Sequence, residues 1–238
     1  MCLSAEAASI PLQVRNRLDE PRSDAPVTWS VPLRAEQNIR DVARLRLTSG
    51  GAELPAQFTP LARWGGRITD ADKPLSWVLV DTRVSLGANA TLALTLEDTS
   101  AASAASPLRV LRNDASSIVI ATGAATYELS KTSFDLFRVT MADGATFGAG
   151  GLRFNGRAIS GPCSLAVEHS GSERISLIGR GTIEGELEYT IRMQFYRELA
   201  EVKIDLRLEN LTPPMFDGQP RANDYGSQGS ISFDDFSA

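Results

Sequence analysis

The chain is poor in the residues on which most hydrolytic and redox chemistry depends. Its 238 residues include one histidine, His169, and two cysteines, Cys2 and Cys163. A lone imidazole with no GxSxG elbow gives a Ser-His-Asp order no support. The cysteines are far apart and form no CxxC spacing, so neither zinc nor a structural disulfide is expected. Cys2 alternatively fits the processed cysteine of a trimmed lipoprotein. No run of 18 or more apolar residues occurs, so no membrane-spanning helix is expected. Lys and Arg do not cluster, and the net charge is −5, so nucleic acid is not an expected partner. The GAGG at 148–151 lacks the GxGxxG and Walker spacings and reads as a loop. Asp70 and Asp72 alone offer too few oxygen ligands for calcium. No cofactor and no metal are expected.

What is present is a β pattern. A hydrophobic content of 42% is ample for packed cores. The clearest signal runs from 186 to 210. Leu187, Tyr189, Ile191, Met193 and Phe195 alternate with polar residues, as do Val202, Ile204, Leu206 and Leu208. Period two over two such runs predicts an antiparallel hairpin with one buried face and one wet face. Placing Arg192 opposite Asp205, rather than opposite Arg207, is favoured by roughly a few tenths of a kcal/mol. Elsewhere short apolar runs are separated by turn formers such as Asn113-Asp114, Thr122-Gly123 and Asp143-Gly144. Residues 36–43 could form one helical turn or more; no helix longer than two or three turns is expected. TSAASAAS at 99–106 has the composition of a linker. The pattern predicts an all-β chain of about fourteen short strands at the spacing of barrels and sandwiches. The tail at 212–229 shows no periodicity, and one strand-like piece follows at 230–236. Ending on a strand implies a sheet that continues beyond Ala238.

Two apolar runs, 54–64 and 75–84, flank a polar loop and predict a hairpin. Trp64 and Trp77 stand at their facing ends. Either the rings plug the end of a β core, the usual fate of aromatics in small β domains, or one ring beside Arg63 offers a stacking face for a sugar. The candidate substrate-binding residues are Arg63, Trp64 and Trp77.

Several segments together carry a family resemblance: LQVRN at 12–16, VTWSVPL at 27–33, ELPAQFTPLARW at 53–64, LSWVLVD at 75–81, GAATYELSK at 123–131, FDLF at 134–137 and VEHSGSERISLIGRG at 167–181. The chain resembles the exo-acting rhamnogalacturonan lyase-like (YetA-like) family. The resemblance implies a small N-terminal β-barrel at 10–98, a linker at 99–106, and an antiparallel β-sandwich, incomplete here, at 107–238. It also implies a polysaccharide or oligosaccharide partner of pectin type. In that family a helical toroid follows the β domains, so a C-terminal helical domain is the missing partner in the full-length protein.

Elimination chemistry needs a base near an acidic C–H and a group to neutralise the neighbouring carboxylate. His169 sits in a turn-like HSGSE and reads as a loop or strand-end imidazole. Tyr127 and Tyr189 read as core positions; Tyr196 is periodic, and Tyr225 lies in the tail. A hydrolase needs two facing carboxylates, but Glu184, Glu186 and Glu188 read as one solvated strand face, and Asp234 and Asp235 lie near the end. No catalytic residue is assigned. Three functions remain open: a non-catalytic β scaffold that forms a cleft wall in a lyase-like protein, a stand-alone carbohydrate-binding module, or a structural and interaction domain. The chain is expected outside the cell or in the periplasm. The start, MCLSAEAASIPL, lacks a basic segment and a long apolar core; it reads as the remnant of a leader, or Met1 is the native start.

Overall fold

The computed structural model describes residues 9–99, 106–133, 136–148, 151–159, 163–183, 187–210 and 236–237. Apart from short 3₁₀ turns, its regular elements are antiparallel strands, and they fall into two compact units, Met1–Ser106 and Pro107–Ala238.

The first unit holds β1 (Ser9–Arg15), β2 (Arg22–Pro32), β3 (Leu45–Ser49), β4 (Ala52–Leu54), β5 (Ala56–Arg63), β6 (Leu75–Leu86) and β7 (Thr91–Asp98). They make two sheets, one in the order β1-β7-β3-β4 and one in the order β2-β6-β5. One core serves both sheets: Leu47 and Leu96 come from the first, Val31, Val78 and Val80 from the second. The resemblance implied a barrel here, but among the described residues neither sheet closes. The edges explain why. β1 carries Pro11, β2 carries Pro26 and Pro32, and β5 carries Pro60; none of these can donate a ladder hydrogen bond. The fourth edge, β4, is only three residues long. The segment expected to turn helically makes two 3₁₀ turns, Ala35–Gln37 and Val42–Arg44, the second capped by the Asp41 carboxylate accepting from the Ala43 amide at 2.9 Å.

The second unit holds β8 (Arg109–Asn113), β9 (Ser117–Ala121), β10 (Ala125–Ser130), β11 (Arg138–Met141), β12 (Thr146–Gly148), β13 (Arg153–Phe154), β14 (Arg157–Ala158), β15 (Ala166–Ser170), β16 (Arg174–Ile183), β17 (Leu187–Tyr196), β18 (Val202–Asn210) and β19 (Phe236–Ser237). A five-stranded sheet, β12-β11-β10-β9-β8, and a four-stranded sheet, β15-β16-β17-β18, supply one shared core. Ile118, Ile120 and Leu129 come from the first sheet, Leu177, Ile191 and Met193 from the second. Tyr127 and Phe195 meet with ring centroids 5.0 Å apart. The described strands number nineteen against about fourteen expected. The surplus is pieces of two or three residues, such as β4, β13 and β14, too short for period two to register.

The hairpin expected from 186 to 210 is β17–β18, with Arg192 opposite Asp205. All five apolar alternates of β17 are buried. Asn113-Asp114 does turn the chain between β8 and β9. One Asp114 oxygen accepts from the Ser116 hydroxyl at 2.7 Å and from the Ser116 and Ser117 amides at 2.8 and 2.9 Å. Those bonds favour the charged form and lower the carboxyl pKa to about 2.

Candidate functional site

The β5–β6 hairpin builds the site. Its connection turns at Gly65, whose φ of +65° suits glycine. The loop is organised by two side chains. Asp70 accepts from the Arg67 amide at 2.8 Å. Arg63 donates from Nε to the Ile68 carbonyl at 2.8 Å, and from Nη1 to the Arg40 and Lys73 carbonyls at 2.9 and 2.6 Å. The Arg63 guanidinium is thus fastened to three backbone oxygens and holds the loop against the hairpin.

Trp64 and Trp77 lie at the same end of the β2-β6-β5 sheet. Trp77 pairs with Ala62 on one side and Pro32 on the other. The Trp64 indole donates from Nε1 to the carbonyl of Leu33, the residue after Pro32, at 3.0 Å. Leu33 in turn donates its amide to Ser76. The Trp64 ring therefore reaches from the end of β5 toward the end of β2. The rings do not plug the core: Trp64 is 48% exposed and Trp77 44%. Leu33, Ile39 and Leu75 fill that end of the core instead. Leu61 and Ile68, neither singled out from the sequence, are also exposed on this hairpin and its loop. The hairpin and its loop thus expose two indoles and two aliphatic side chains.

The backbone explains the exposure. Val78 and Val80 point inward, so Trp77 points out. Counting by twos from the inward Phe58 would bury Trp64. An extra residue between Pro60 and Ala62 breaks the count, and a one-residue shift sends a side chain to the other face.

The residues weighed for catalysis do not converge. His169 is the penultimate residue of β15, half-buried and paired with Ser176, so of the two readings it is a strand-end imidazole and not a loop one. Tyr127 is buried and donates to the Ala200 carbonyl at 2.6 Å. Burial raises its pKa, with the Glu201 charge adding to the effect. Tyr189 is buried beside Cys163; burial pushes the phenol well above its usual range and raises the Cys163 thiol too. Neither phenol is poised to act as a base near neutrality. Tyr196 donates to Gln194 at 2.9 Å. Glu188 lies on the outer face of β17, opposite Glu209. Cys2, Glu184, Glu186, Tyr225, Asp234 and Asp235 lie outside the described residues, as do most of the expected linker, the middle of the 148–151 loop and the 212–229 tail. Among the described residues, no group of three or more His, Cys, Asp or Glu side chains could hold a metal ion, and no helix is long and apolar enough to cross a membrane.

No family model matches the chain, and no curated protein matches it.

Proposed function

We propose that this chain is a non-catalytic β portion of a polysaccharide lyase-like protein, acting outside the cell or in the periplasm. It supports a helical catalytic domain of the full-length protein and forms a wall of its substrate cleft. Trp64 and Trp77 are the wall's contact surface. The carrying observation is a pair of half-exposed indoles on one rigid hairpin end. With its N–H bound by Leu33, Trp64 has little orientational freedom left to lose, and a pre-ordered ring binds at lower entropic cost. An aromatic face stacks on the C–H face of a sugar. Arg63 contributes by holding the loop, since its donors already face carbonyl groups.

The test is intrinsic fluorescence titration with rhamnogalacturonan oligosaccharides. Saturable change at millimolar sugar, lost in Trp64→Ala and in Trp77→Ala, is the expected result. An unchanged spectrum at those concentrations retires the reading. The exposed Leu61 and Ile68 favour a second reading, a protein-contact surface; a stable oligomer in size-exclusion chromatography that Leu61→Ser and Ile68→Ser dissociate would favour it over the first.

A further inference from the structure

The outer face of the four-stranded sheet carries a second feature, remote in sequence from the tryptophans. A depression of ≈ 300 Å³ lies over β16, β17 and β18. Strand pairing arranges its walls in three rows. Glu188 faces Glu209, Thr190 lies between Arg180 and Arg207, and Arg192 lies between Ile178 and Asp205. Neighbouring strands are about 4.8 Å apart, so Arg180 and Arg207 stand roughly 10 Å apart across Thr190. Both arginines line the depression.

Part of this lining is already committed. Glu168 holds Arg192 through two bonds of 2.6 Å. Asp205 accepts from Gln194 at 3.2 Å and pairs with Lys203 at 3.3 Å. The rest is open. Among the described residues the side chains of Arg180 and Glu188 have no hydrogen-bond or ion-pair partner, and Arg207 has only a 3.5 Å contact with Glu209. Stability alone does not account for the pattern, because like charges directly opposite across strands, as in Glu188 and Glu209, are unfavourable.

The charges narrow the ligand class. Three arginines, Arg180, Arg192 and Arg207, stand against three carboxylates, Glu188, Asp205 and Glu209, so the formal charge of the lining is zero. A polyanion would meet the carboxylates and a cation would meet the guanidinium groups. An uncharged polyhydroxylated ring satisfies both, since adjacent hydroxyls accept from an arginine fork and donate to a carboxylate. Ile178 offers an apolar floor for its C–H face. We propose that this depression is a second saccharide site, for neutral pyranose units, centred on Arg180, Glu188 and Arg207. The proposal rests on the polysaccharide reading above only for the choice of ligand class.

The test is two-dimensional NMR of the ¹⁵N-labelled full chain, titrated separately with neutral galactan oligosaccharides and with inorganic phosphate. Galactan is expected to shift amides of β16–β18. Arg180→Ala and Glu188→Gln each weaken that response by about tenfold, as for loss of a charged hydrogen bond, with the remaining spectrum unchanged. The Trp64→Ala/Trp77→Ala variant leaves the response intact. Galactan shifts on β16–β18 with no saccharide effect on the tryptophans would refute the hairpin reading and leave this one standing. Saccharide shifts confined to the hairpin would overturn this proposal alone. So would shifts on β16–β18 produced by phosphate and not by galactan, or a galactan response indifferent to both substitutions.

Discussion

Gly181→Ala tests whether the core of the second unit is packed as described. Gly181 pairs with Tyr189 across β16 and β17. A Cβ built on Gly181 would lie 2.4 Å from the Tyr189 oxygen, 2.5 Å from Cζ and 2.6 Å from Cε1. Comfortable contact is about 3.5 Å, so the ring would have to retreat by roughly 1 Å. It has little room to do so, since Tyr189 is 2% exposed and belongs to the main cluster. Overpacking of this kind costs about 1–3 kcal/mol. Replacing glycine by alanine where the backbone allows it gains roughly 0.4–1 kcal/mol through the unfolded chain. The net expectation is a loss of about 1–2 kcal/mol, read from denaturant unfolding and from faster amide exchange in β16 and β17. Gly148→Ala is the control: Gly148 is also a strand glycine, but nothing lies within 4 Å of its built Cβ. That variant should be neutral or slightly stabilised. In a Tyr189→Leu background the Gly181→Ala penalty should shrink, giving a coupling of about 1 kcal/mol in a double-mutant cycle. If Gly181→Ala is as stable as the parent, the ring does not sit over the glycine and the packing argument is wrong.

Arg63→Leu removes the donor to three carbonyls and should cost about 1–2 kcal/mol while raising amide exchange across 65–74; Arg63→Lys should not restore protection, because an ammonium lacks the planar fork. The two bonds from Arg192 hold the Glu168 carboxyl below its usual range. A depressed carboxyl pKa contributes stability that is present above its unfolded value and is lost as pH falls through the folded value. Arg192→Ala should therefore move the Glu168 titration, followed by carboxyl NMR, upward toward the ordinary glutamate range, and should flatten the acid limb of the stability profile; an unmoved midpoint would show that the pair contributes nothing in solution.

The β17–β18 hairpin was legible because its signal is local. Ten residues of strict alternation fix which side is buried, and the register hinted at by one charge pair, Arg192 with Asp205, is the one observed. The barrel was an expectation from the resemblance, and among the described residues neither sheet closes. Closure depends on whether sheet edges meet, and that is a property of strands distant in sequence. The exposed tryptophans were half legible: the apolar run at 75–84 hides which face Trp77 takes, and no sequence signal marks the extra residue before Ala62 that turns Trp64 outward. The depression on β16–β18 could not be read at all, because Arg180, Thr190 and Arg207 come from three strands and acquire a common row only through pairing.

Composition and periodicity by themselves determined that this protein is all-β, with strands punctuated by turn-forming pairs and without the motifs of zinc, nucleotide or serine chemistry. These follow from side-chain alternation and from residue types, which act over a few neighbours. Only the tertiary structure decided that Arg63 binds carbonyls, that two indoles stand exposed on one hairpin end, and that opposed charges line a depression on the other unit. Those depend on bulges and on cross-strand register, where a displacement of one residue exchanges inside for outside.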